Sequence, residues 1–203
     1  MCRYRKYPSM TPEDDEMTDR ILEGTTYDQA EVTVRRTFPF RIVGKIRVAI
    51  GVLALSGLLG PALYLSRNRV HSFGGAETLS RVFSLTVSVL ALIGVVTTAA
   101  AGLLLVRQLR VIGQRSLSEH EARRLVRTED VLMWFVLQGA AFVLIPVVLV
   151  AVGVVSVGAV ETLYSYGVTV YQPSALPVDA RLVSALGGGF AVILYGLCRR
   201  FRG

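Results

Sequence analysis

Apolar residues along this chain are gathered into four blocks: Val48 to Leu65, Val82 to Val106, Val131 to Val160 and Leu182 to Cys198. The third is thirty residues without a charge. A hydrocarbon layer about 30 Å thick is crossed by roughly 17–25 apolar residues in a helix, so each block is long enough to span it. The pattern predicts an all-α integral membrane protein with four transmembrane helices. The connection Ser66 to Arg81 is short and contains Gly74 and Gly75, which turns the second span back beside the first. Two antiparallel helical hairpins are therefore expected, within a transmembrane domain over residues 44–203, preceded by a polar tail over residues 1–43.

The polar segment ahead of the third block is itself patterned for a helix. Ser116 with Glu119, and Ser118 with Glu121, each have the spacing of a reciprocal cap, and Glu119 to Asp130 contains strong helix formers and no Gly or Pro. The third helix is thus expected to start before the membrane, project into the cytoplasm and continue unbroken into the span. The thirty apolar residues would make about 45 Å of helix, more than the hydrocarbon needs, which calls for a tilt, a bend at Pro146 or a protruding end. Residues 1–40 read as a polar leader with no cleavable signal: a basic start, an acidic patch (Glu13, Asp14, Asp15, Glu16, Asp19) expected to be disordered, and a weakly alternating segment from Glu31 to Arg35. At its end, Phe38, Pro39 and Phe40 between Arg36 and Arg41 suit the headgroup layer. Glu161 to Ala180, with Tyr164, Tyr166, Tyr171, Pro173 and Pro177, reads as an interfacial loop with a short extended piece at Val168 to Tyr171.

Small residues mark the faces on which these helices are expected to meet. Ser56 and Gly60 share one face of the first span, and Gly94, Thr98 and Gly102 form a ridge on the second. Gly187 and Gly188 lie in the fourth, where glycine lowers helix propensity unless close packing offsets the loss. Gln138 is the one amide in the third span, and at membrane depth it is expected to face another helix. Thr97 and Thr98 can return their hydroxyls to the preceding turn of backbone.

Charge sets the orientation. Beside the spans, fourteen Lys and Arg lie on the side of the two termini and four on the other, which places both termini in the cytoplasm. Twenty of the 22 basic residues are Arg and the sole Asn is Asn68, a bias that points to a prokaryotic plasma membrane, although a viral envelope budded from a cell would read the same way. Arg123, Arg124 and Arg127 form a basic cluster on the helix that projects from the third span and are the expected docking residues for anionic lipid or a partner protein; nothing aromatic interleaves them, so nucleic acid is not expected. Cys2 and Cys198 both fall on the cytoplasmic side, so no disulfide is expected.

The chemistry the blocks omit shapes the functional reading. Within the boundaries given above no span holds Asp, Glu, Lys, Arg or His, and the chain has no phosphate loop, no nucleophile elbow, no catalytic zinc motif and no His/Cys cluster for a metal. Neither a cofactor nor a metal is expected. The reading is a non-catalytic scaffold, accessory subunit or structural component of a membrane assembly, associating with anionic lipids and with other membrane proteins or itself. The alternative is an oligomeric channel or carrier for an uncharged or lipid-like solute, its path lined by Gln138, Thr97 and Thr98.

Overall fold

The structure, a computed structural model, describes residues 25–34, 37–65, 85–114, 117–167 and 180–201. Among them are seven helices and no strand: α1 Thr26–Thr33, α2 Ile42–Gly57, α3 Leu59–Leu65, α4 Leu85–Gln114, α5 Glu119–Val155, α6 Val157–Ser165 and α7 Ala180–Arg200. Four stretches are long and apolar enough to cross a membrane, over Ile42–Ala62, Thr86–Gln114, Glu119–Leu149 and Ala180–Arg200.

Local chemistry accounts for most helix ends. Ser118 starts α5: its hydroxyl accepts from the Glu121 amide at 3.4 Å while the Glu121 carboxylate accepts from the Ser118 amide at 3.0 Å, which selects this cap of the two the sequence offers. The helix continues through the buried Pro146 and stops at Ser156, whose extended backbone turns the chain and whose hydroxyl caps α6. The apolar run to Val160 is therefore two helices, and the expected loop from Glu161 is helical as far as Ser165, ending at Gly167 with φ of 77°. The suggested extended piece at Val168 to Tyr171 lies outside the described residues, as does the acidic patch. The polar tail contains α1, because Thr25 and Asp28 form a capping box of their own.

Pro61 has a defined consequence at the end of the first crossing. It has no N–H to donate to the Gly57 carbonyl one turn earlier, and the chain breaks into a turn at Leu58. The Ser184 hydroxyl of α7 donates to that carbonyl, so the polar group that proline would leave unpaired is satisfied from a neighbouring helix.

Helix partners follow the small-residue faces. The most extensive packing joins α4 to α5 and α2 to α7, with α4 also lying against α2 and α7. On the α2–α7 seam a Cβ at Gly57 would stand 3.1 Å from the Gly188 Cα, one at Gly60 3.1 Å from the Ser184 Cβ, and one at Gly187 2.9 Å from the Leu53 carbonyl and against Ser56. Rising numbers on α2 meet falling numbers on α7, so the two run antiparallel. On the α4–α5 seam Gly94 and Thr98 pack on Gly139, with Gly94 also against Phe142 and Val143. Gly102 turns the other way, towards Leu194 and Ala49. The first two crossings touch as a hairpin would, but the fourth lies against the first and second rather than the third; among the described residues α5 and α7 make no substantial contact. On the α2–α7 seam Gly187 lets Ser56 approach and the Gly188 backbone lies against Gly57, the close contact that small residues permit. Ile46, Ala49, Leu53, Val95, Leu105 and Leu194 are fully buried where the helices converge.

Thr98 also departs from expectation. Its hydroxyl is buried and has no hydrogen-bond partner among the described residues, held against Gly139 instead of turned back to its own helix.

Candidate functional site, a buried ionic cluster on α5

The residues that draw the chain together at one end of the bundle are charged. Helix α2 begins at Ile42, so Lys45 lies in its first turns, on the stripe Ile42, Lys45, Ile46, Ala49, Leu53 and Ser56 that faces the interior. Glu129 continues the inner stripe of α5 formed by Ala122, Val126, Met133 and Val136. Helical phase thus carries an ammonium and a carboxylate into the same buried space, and both side chains have no exposed surface.

The geometry is closed. Lys45 Nζ lies 2.8 Å from Asp130 Oδ1 and 3.4 Å from Glu129 Oε2. The Tyr27 hydroxyl, from α1, donates to Glu129 Oε1. The Thr37 backbone amide, from the segment leading to α2, donates to Asp130 Oδ2 at 2.8 Å. All four carboxylate oxygens therefore have a donor, which is the condition under which buried charges are tolerated. One ammonium faces two carboxylates, and Asp130 keeps 14% of its side-chain surface exposed, so the more accessible acid lies at the rim.

Apolar contacts extend the join in both directions. Tyr27 and Ala30 of α1 bury against Ala122 and Val126, a small second core beside the main one. On the other side Phe38 meets Trp134 edge-to-face, with ring centroids 5.4 Å apart. Arg110 stands over the Phe201 ring at 5.5 Å, which brings the C-terminal end of α7 to the same end of the bundle. The arrangement can hold three chain segments on α5.

The residues singled out from sequence fall into three groups. Ser56, Gly60, Gly94, Thr98, Gly102, Gly187 and Gly188 lie at helix crossings. Gln138 lies on the exposed side of α5, and its neighbour Gly139 occupies the crossing. Thr97 is half-buried, Thr98 buried at the α4–α5 seam and Gln138 exposed, so the chain does not gather these three around one path. Arg123, Arg124 and Arg127 are exposed on the outer side of α5, with Arg123 paired to Glu119. The cluster of Lys45, Glu129, Asp130, Tyr27 and Thr37 was missed, because spans drawn by apolar composition at Val48 and Val131 leave those charges outside. The signal that could have found it is the phase of Lys45 and Glu129 on stripes of otherwise apolar residues. Compared with protein-family models, curated proteins and solved structures, the chain matches none, and its own geometry is the ground for any functional reading.

Proposed function

We propose that this protein is a non-catalytic, polytopic component of a membrane assembly, a scaffold or accessory subunit, with α5 as its organising element. The observation that carries this reading is the division of α5 into two sides. Its inner stripe is used up by the ionic cluster and the Gly139 crossing, whereas its outer side presents Arg123, Arg124 and Arg127 above exposed Val131, Trp134 and Phe135. Charges consumed in holding the chain together are not free for a reaction, and the exposed side has the composition of a contact surface.

In this reading the first two crossings form a hairpin, and α1, the charged start of α5 and both termini lie in the cytoplasm of a prokaryotic cell. The bias of fourteen cations against four supports that orientation. So does the clustering of α1, Lys45, Arg110 and Phe201 at one end of the bundle.

Reversal of Arg123, Arg124 and Arg127 to Glu tests the docking role. Co-sedimentation with anionic liposomes and recovery of native partners in mild detergent are both expected to be lost, while membrane insertion persists on the remaining cytoplasmic cations. The native association should also weaken between low and high salt as the Debye length contracts. Association that survives both the reversal and the salt would show that these arginines only set topology.

A further inference from the structure

We infer that the outer side of α5 holds a single anionic phospholipid, its phosphate on Arg124 and Arg127 and its acyl chains along Val131, Trp134 and Phe135. This rests on the reading of the arginines as a docking surface and names the ligand for it. Residues His120, Arg124, Arg127, Val131, Trp134 and Gln138 recur at alternating steps of four and three, which puts them on one stripe of the helix. The stripe borders two adjoining shallow, open hollows on the helix surface that share Val131. The first is bordered by His120, Arg123, Arg124, Arg127 and Thr128, the second by Trp134, Phe135, Leu137 and Gln138. Cationic above and apolar below, the pair matches a molecule with an anionic head and hydrocarbon chains.

The charge arrangement asks for an anion. Arg123 is paired with Glu119, but Arg124 and Arg127 make no ion pair among the described residues, and guanidiniums three residues apart on a helix repel. A phosphate bridging them removes that repulsion through charge-assisted hydrogen bonds. At 1.5 Å per residue Trp134 lies about 10 Å along the axis from Arg127, within reach of acyl chains hanging from a phosphate held there. A free anion would use the upper hollow alone. A second copy of the chain bound through this side would bring its own three arginines against these, so lipid fits the charge where self-association does not.

Trp134 is the single tryptophan of the chain, so its fluorescence reports this site alone. The full chain would be reconstituted in zwitterionic bilayers containing a small fraction of either a bromine-labelled anionic phospholipid or a bromine-labelled zwitterionic one. The anionic lipid is expected to quench Trp134 more strongly at equal fraction. Arg124→Gln and Arg127→Gln should each weaken that preference about fivefold and together abolish it. Arg199→Gln with Arg200→Gln, cations at the end of α7, should leave it intact, and unchanged thermal unfolding would show that the α5 variants remain folded. Equal quenching by the two lipids in the native protein would overturn the inference, as would a preference indifferent to Arg124 and Arg127 or lost equally with Arg199 and Arg200. If the native protein shows no preference yet the triple Glu reversal still releases a protein partner, the lipid site fails and the docking surface stands.

Discussion

Lys45→Met is expected to be the most damaging single substitution in the chain. Methionine fills a similar volume but removes the ammonium that bridges the Glu129 carboxylate, which has no exposed surface, and its neighbour Asp130. Removing one partner of a buried ion pair costs about 3–5 kcal/mol, because the stranded charge keeps its desolvation cost and loses its compensation. For a chain of this size that is a fall in Tm of about 6–20 °C, measured by thermal unfolding in mild detergent. The triple variant Lys45→Met, Glu129→Gln, Asp130→Asn removes the charge on both sides and should recover most of the loss, since a neutral hydrogen-bonded site no longer strands an ion. The cluster also anchors α1 through Tyr27 and the α2 approach through Thr37. Lys45→Met should therefore make the peptide between α1 and α2 open to proteolysis before the crossings unfold. A Tm within a degree or two of the native protein would show that water reaches the site and that the pairing contributes little.

Gly139→Leu has the second largest expected effect. A Cβ at this position would press on Thr98 and stand 2.8 Å from the Gly94 carbonyl and 3.2 Å from the Thr98 amide. Backbone cannot step aside as a flexible side chain can, so α4 and α5 must separate along their seam, the most extensive in the bundle. Overpacking of this kind costs about 3 kcal/mol, which lowers Tm by roughly 6–12 °C. The contrast lies within the same protein. Gly113→Ala would meet nothing within 4 Å and should be neutral or mildly stabilising. Gly102→Ala would meet the far end of Leu194, which can rotate, and should cost less than the same change at Gly94, where the obstacle is the Gly139 carbonyl at 2.7 Å.

These two sites show how far the fold could be read from sequence, and why reading stopped. Crossings are legible because a bilayer imposes a length and a composition on any helix that spans it, and those constraints are local. The cap at Ser118 is legible for the same reason. The cap at Thr25 uses Asp in place of the usual Glu or Gln at its third position, and so α1 was hidden in a segment that composition marks as solvated. Partner choice between helices depends on two surfaces at once, and no window of one helix shows that Gly187 meets Ser56 or that the Gly188 backbone meets Gly57. Gln138 and Gly139 illustrate the sensitivity of a helical face: one residue turns the side chain by about 100°, enough to put the amide outside and the glycine at the seam. Lys45 and Glu129 are legible in phase but not in composition, because an apolar run ends at its first charge even where that charge is buried.

Orientation in the bilayer joins these parts, since it decides whether α1, the ionic cluster, the arginines of α5 and both termini share one compartment. It can be measured directly by single-cysteine labelling of intact cells with a membrane-impermeant reagent, in a background carrying Cys2→Ser and Cys198→Ala. Cysteines would be placed at Ser72 and Ser174, in the two connections on the side with few cations, and at Gly113, which is exposed and would meet no neighbour within 4 Å. Labelling from outside is expected at Ser72 and Ser174, and at Gly113 only after the cells are permeabilised. Labelling of Gly113 in intact cells, with Ser72 and Ser174 protected, would invert the protein and move the proposed docking surface of α5 to the cell exterior.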